Sequence, residues 1–153
     1  MKVIFDMDGT IADLYGQPNW LADLTATNPR PYEKAQPMVD MLRLAKVCGD
    51  LINKGHEIEI VSWLAKNSTK EYNKATRQAK RNWLKENNFK ATKIHLVKYG
   101  TPKARYINGG DLNVLFDDND QVRGDFEKHK NCIAFNPNVC DICELLERVA
   151  ATN

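Results

Sequence analysis

Two carboxylates, Asp6 and Asp8, stand one residue apart at the end of the apolar run Val3-Ile4-Phe5, and Gly9 and Thr10 follow at once. Alternate residues of an extended chain point to the same side, so the two acids can face one point in space. Gly9 then permits a sharp turn away from that point. Carboxylates gathered in one place repel one another unless a cation or a proton relieves them. Three further groups could join them. Ser62 ends the segment EIEIVS, Lys98 and Lys103 lie in VKYGTPK, and Asp117, Asp118, Asn119 and Asp120 follow Val114-Leu115-Phe116. Hard oxygen donors with no accompanying His or Cys cluster favour Mg²⁺ over zinc, and Mg²⁺ takes phosphate oxygens readily as its remaining ligands. Each group alone also has a structural reading, since acids can end a strand and Asp and Asn favour turns. Their recurrence at successive strand ends is what points to chemistry.

The elements that must position these groups alternate strand and helix. Residues 2–7 are a short continuous apolar run, as in a strand buried on both faces. Residues 35–54 repeat apolar side chains at helical spacing (Met38, Met41, Leu42, Ala45, Cys48, Leu51 and Ile52), and Gly55 supplies a stop. Residues 57–62 are a second strand. A helix capped by Asn67 or Ser68 follows, with Tyr72, Ala75, Ala79 and Trp83 as its apolar stripe and an end near Asn87 or Asn88. Strands at 94–97, 112–116 and 132–135 and a helix at about 141–150 complete the pattern. Only the link between the third and fourth strands lacks a clear helix. This rhythm predicts an α/β fold, a Rossmann-like three-layer sandwich around a mostly parallel sheet, and ligands in such sheets bind beyond the carboxyl ends of the strands.

Residues 11–34 interrupt the rhythm. They hold three of the six prolines and a small apolar group of Leu14, Tyr15, Trp20, Leu21 and Leu24. They read as an excursion too short for a domain of its own, so residues 1–153 read as one domain with a minimal cap-like insertion.

Composition narrows the class. The chain has 153 residues, 42% hydrophobic and 27% charged, as in an ordinary soluble globular protein. No run approaches the roughly 18 apolar residues of a membrane span, and the N-terminus shows no signal-peptide pattern, so a cytoplasmic protein is expected. Cys48, Cys132, Cys140 and Cys143 are too few for a disulfide scaffold. The CDIC pair has no second half-site, and Cys143 falls on an apolar helix face with Ile142, Leu145, Leu146 and Val149, so it reads as a packed thiol. His56, His95 and His129 share no spacing that suggests a metal site or a triad. Net charge is only +2, but residues 66–93 carry nine Lys or Arg against Glu71 and Glu86. Such a run is usually the wet face of a helix.

Four segments in order, DMDGT, IVS, TPK and DDND, resemble the four motifs of the haloacid dehalogenase superfamily of aspartate-nucleophile phosphohydrolases, over about residues 1–120. The resemblance implies that Asp6 is the nucleophile and forms an aspartyl-phosphate. Asp8 would act as acid and then base, with its backbone carbonyl on Mg²⁺. Ser62 and Lys103 would hold the phosphoryl group beside Gly9 and Thr10. Lys98 competes for the lysine role, but Lys103 lies a loop beyond the strand, as the pattern suggests. Asp117 or Asp118 would complete the Mg²⁺ site, with Asp120 a third candidate.

An aspartate at position 8 speaks for a phosphomonoester hydrolase. Looser features are similar to the small 5'(3')-deoxyribonucleotidases. They include the double aspartate after DLNVLF, with Tyr15, Trp20 or Trp63 available to stack on a base, although Trp63 reads first as a packing residue. A small phosphorylated substrate, a nucleotide, is therefore the expected partner, with no membrane involved. A second expectation is a polynucleotide 3'-end phosphatase, in which a helix starting just after Ser62 directs its N-terminus at the phosphate and its basic residues track a backbone. A third is a non-catalytic nucleotide-binding or regulatory domain on the same scaffold.

Overall fold

The computed structural model describes residues 1–152. In chain order the elements are β1 (Lys2–Phe5), β2 (Ala12–Asp13), α1 (Trp20–Thr25), α2 (Arg30–Lys34), β3 (Gln36–Pro37), α3 (Met41–Asn53), β4 (Glu57–Trp63), α4 (Lys70–Glu86) and β5 (Lys93–Val97). A single 3₁₀ turn (Lys103–Tyr106) comes next, then β6 (Asn113–Phe116), α5 (Asp120–Glu127), β7 (Cys132–Phe135) and α6 (Ile142–Thr152). Five strands form one parallel sheet in the order β5-β4-β1-β6-β7. The expected α/β, Rossmann-like architecture is what the chain adopts.

Every residue of β1 is buried, as expected for the central strand of a sheet covered on both faces. Alternation sends Val3 and Phe5 to one face, where they pack with Ile58, Ile60, Leu44, Leu51, Trp83 and Leu146. Ile4 goes to the other face with Val61, Leu115 and Phe126. Helices α3, α4 and α6 therefore cover the first face, and α5 and the 3₁₀ turn cover the second.

The helix expected over residues 35–54 begins later, at Met41, because Asp40 caps it by accepting from the Arg43 amide at 3.1 Å. Gln36 and Pro37 pair instead with Asp13 and Ala12 in a two-stranded antiparallel ribbon. The inward face is accordingly Met41, Leu44, Val47, Cys48 and Leu51, and Leu42 is 84% exposed. Helix α4 is capped by Thr69, rather than by Asn67 or Ser68, with 3.1 Å from the Tyr72 amide to its hydroxyl. The acidic segment after β6 also starts a helix. Asn119 caps α5 by accepting from the amides of Gln121 and Val122.

The excursion at 11–34 carries α1 and α2 and is built onto α4. Leu14 and Tyr32 form a small core with Tyr72 and Ala79. The Tyr72 hydroxyl donates to the Asn28 carbonyl at 3.1 Å, and the Trp83 indole donates to the Ala35 carbonyl at 2.7 Å. Helix α1 buries none of its own residues and stands over the carboxyl end of the sheet. Among the described residues no helix is long and apolar enough to cross a membrane.

Candidate active site

Strand order reverses at β1, with β4 and β5 on one side and β6 and β7 on the other. The crevice beyond the carboxyl ends of β1, β4 and β6 is where such a sheet offers a binding site. The Asp6 amide donates to the Phe116 carbonyl at 2.9 Å, which holds Asp6 in the sheet's register one residue beyond β1. Asp6 shares the parity of Ile4, so its side chain meets the face covered by the 3₁₀ turn. There the Lys103 ammonium donates to Asp6 Oδ1 at 2.8 Å and to Asp117 Oδ2 at 2.6 Å, with all three residues buried. Burial by itself would lower the Lys103 pKa, and the two carboxylates override it and raise it. Lys98 is exposed on the loop after β5, so the structure places Lys103, not Lys98, at the carboxylates. The Thr10 hydroxyl donates to the other Asp6 oxygen at 3.2 Å.

Oxygens of Asp6, Asp117 and Asp118 lie within 4.8 Å of one another. Burial, then the nearby charges of Asp6 and Asp117, push the Asp118 pKa up to about 7. The part of that push that comes from the neighbouring carboxylates is what a divalent ion would relieve. Three hard oxygen donors with no thiol or imidazole among them suit Mg²⁺. Asp120 lies outside the cluster, with its side chain 90% exposed and paired to Arg123. Asp8 contributes no side-chain oxygen to the cluster. Strand alternation does not carry it there, because the chain leaves the sheet after Asp6 and closes a turn in which the Thr10, Ile11 and Ala12 amides all donate to the Met7 carbonyl. Asp6 and Asp8 nevertheless line one cleft. Gly9 makes that turn possible at φ +79°, and a Cβ there would sit 2.3 Å from Asp118 Oδ2.

The basic run over residues 66–93 implies a wet helix face that includes Lys80, and the structure contradicts this. Lys80 is 1% exposed, and its ammonium donates to Asp8 Oδ2 at 2.7 Å, to Ser62 Oγ at 2.7 Å and to the Trp63 carbonyl at 2.8 Å. The face of Tyr32 lies 4.9 Å away. A signal was present, since Thr76 and Lys80 fall at helical spacing beside the apolar stripe, but their polarity and charge concealed it. Ser62 differs from expectation too. It is fully buried and does not line the cleft, and its hydroxyl accepts from Lys80. Burial raises the Asp8 pKa, against the downward pull of Lys80. The other basic residues of the segment are exposed, and Lys66 lines the cleft with its ammonium 5.8 Å from the Tyr99 ring. Residues 64–69 separate β4 from α4, so that helix does not begin directly after Ser62.

Above the acids the cleft encloses about 400 Å³ and has aromatic walls. Tyr15 and Trp20 meet edge to face at 4.9 Å on the side of the excursion, and Trp63 and Tyr99 lie 4.9 Å apart on the other side. Trp63 is therefore a wall residue and not part of the core; its indole is anchored to the Thr101 carbonyl at 2.8 Å. The four thiols are free, and Cys143 is buried on α6, as its spacing suggested.

No family model matches this chain, and no curated protein matches it. Solved structures do. A chain of the Pnkp1/Rnl/Hen1 RNA repair complex superposes with a TM-score of 0.57 at 19% identity, over 88% of this chain and 42% of that one. This chain thus spans less than half the length of that relative. D,D-heptose 1,7-bisphosphate phosphatase from B. bronchiseptica, complexed with magnesium and phosphate, gives 0.57 at 10% identity over the whole of both chains. The Burkholderia thailandensis enzyme of the same name gives 0.52 at 10% identity over 97% of each. At these identities the likeness establishes a shared fold.

Proposed function

We propose that this chain is a Mg²⁺-dependent phosphomonoester hydrolase of the haloacid dehalogenase superfamily that works through an aspartyl-phosphate and acts on a nucleotide. The observation that carries the reading is Asp6 itself. It lies at the floor of an open cleft, one oxygen held by Lys103 and the other by Thr10, beside two further carboxylates. The names of two fold neighbours, both phosphatases, are in keeping with it.

Asp6 attacks phosphorus, and the bond from phosphorus to the leaving oxygen breaks as that oxygen takes a proton from Asp8. Water then gives a proton to Asp8 and attacks the phosphorus of the aspartyl-phosphate, and phosphate departs as Asp6 is restored. Lys103 lowers the repulsion between Asp6 and the incoming phosphoryl oxygens. Asp6, Asp117 and Asp118, with the Asp8 carbonyl, would hold Mg²⁺, which supplies positive charge against those oxygens when bound. The pairs Tyr15–Trp20 and Trp63–Tyr99 offer ring faces to a base, which favours a nucleotide over an aliphatic sugar phosphate.

One observation favours a second reading, a polynucleotide 3'-end: Lys66 lies at the cleft, and the exposed basic residues of α4 continue from its segment. The fold likeness to a chain of an RNA repair complex accords with it. Phosphate release from 5'- and 3'-mononucleotides, a 3'-phosphorylated oligonucleotide and sugar phosphates, with Mg²⁺ or chelator, tests both. The expected result is Mg²⁺-dependent release, best with a nucleotide and lost in Asp6→Asn. Nucleotide binding without release would instead support a non-catalytic domain.

A further inference from the structure

An ammonium buried in a helix costs several kcal/mol of desolvation unless its partners are excellent. Lys80 has them. An ammonium carries three N–H donors, and those of Lys80 are matched by one carboxylate, one hydroxyl and one carbonyl at 2.7–2.8 Å, with a tyrosine face closing another side. Packing alone does not call for this charge. Helix α4 already buries Tyr72, Thr76, Ala79, Trp83 and Leu84 against the sheet and the excursion, so its packing does not depend on a charge at position 80.

We propose that Lys80 is a positioning residue that aims Asp8 at the leaving oxygen of the substrate, and that Ser62 serves as its anchor and not as a ligand of the phosphoryl group. The inference rests on the hydrolase reading above. Lys80 ties Asp8 Oδ2 and leaves Oδ1 as the oxygen that can exchange a proton with the leaving group. Its positive charge also stabilises the carboxylate that forms as that proton is given up. Ser62 and the Trp63 carbonyl fix the ammonium from the β4 side, and Tyr32 covers it from α2, so the excursion and the sheet both set the aim of one acid. A hydroxyl fully buried and already accepting from Lys80 is placed to hold that lysine. It is not placed on the cleft surface.

Leaving-group dependence separates this role from general support of the fold. Aryl phosphates release a stable oxyanion without a proton, whereas alkyl phosphates need one. The ratio kcat/KM reports only the steps up to phosphoenzyme formation. It is to be measured for p-nitrophenyl phosphate and a nucleoside 5'-monophosphate in the wild type, Lys80→Met, Ser62→Ala and the double variant. Loss of acid assistance removes about 100-fold or more, so Lys80→Met should lose about that on the nucleotide and no more than about tenfold on the aryl ester. Ser62→Ala should show a smaller loss of the same pattern. It should add little to Lys80→Met, as expected of residues acting through one contact. Circular dichroism checks the fold, and Ser62→Ala carries the test if Lys80→Met does not fold. Equal losses on both esters would overturn the positioning role, and so would additive effects of the two substitutions. A wild type that turns over neither ester would overturn the hydrolase reading, and the role of Lys80 with it.

Discussion

Replacing Lys103 with methionine keeps most of the side-chain volume and removes the ammonium that bridges Asp6 and Asp117. Both ion pairs are short, 2.8 and 2.6 Å, and the side chains of Lys103 and Asp117 are 2% and 3% exposed, so water cannot substitute for the lost partner at Asp117 and reaches Asp6 only from the cleft. Breaking a buried pair by removing one member costs about 3–5 kcal/mol, because the charge left behind is uncompensated. Here two carboxylates are left, beside a third in Asp118. A single domain is stable by only about 5–15 kcal/mol, so the loss is a large fraction of the total. At this chain length it lowers Tm by roughly 6–20 °C. Thermal and urea unfolding in chelator measure it, with Lys98→Met as the control; that side chain is exposed, and its change should stay within about 0.5 kcal/mol. Phosphate release should vanish in Lys103→Met and persist in Lys98→Met. Mg²⁺ should restore more stability to Lys103→Met than to the wild type, since the cation takes over part of the lost neutralisation. A loss under about 1 kcal/mol at position 103, or equal effects at the two lysines, would refute the reasoning.

Gly9→Ala should destabilise the chain by roughly 1–2 kcal/mol through its left-handed backbone alone. It should also weaken Mg²⁺ binding in calorimetry, because the new methyl displaces the Asp118 carboxylate 2.3 Å away; unchanged affinity would show that Asp118 is not a ligand. Burial pushes the Cys48 thiol up to about 12 and the Cys143 thiol up to about 11. The thiolate is the nucleophile, and a raised pKa keeps the thiol protonated until the pH approaches that value, so at pH 8 the folded protein should leave both unalkylated by iodoacetamide. Both should label in urea, and rapid labelling of Cys48 in the native protein, read by mass spectrometry, would contradict the packing described.

Much of the architecture was legible because its signals are local. Apolar runs closed by Asp, Ser or Gly, alternating with helical stripes, are enough to place strand ends and hence Asp6, Ser62 and Asp117 at one edge of a parallel sheet. The start of helix α5 was not legible, since its cap, Asn119, is embedded in an acidic segment that also reads as a turn. The early start expected for α3 had a related cause. Met38 fits a helical stripe, and only pairing with the distant Ala12–Asp13 segment draws residues 36–37 into a ribbon.

By itself, then, the sequence determined the order of the five sheet strands and of α3, α4 and α6, and the types of group gathered at the carboxyl edge, because both follow from side-chain periodicity over a few residues. Only the tertiary structure decided which lysine meets which acid. Lys103 reaches Asp6 across 97 residues of chain and Lys80 reaches Asp8 across 72; only the resemblance favoured Lys103 over the exposed Lys98, and no local pattern sets Lys80 apart from the wet face of α4. A lysine's long stem allows it either to extend into water or to fold its charge inward, and the outcome depends on whether a buried carboxylate waits at the end. That is a property of packing between distant segments, and it also turned Ser62 from the cleft toward Lys80 and left Asp118, not Asp120, beside the other acids.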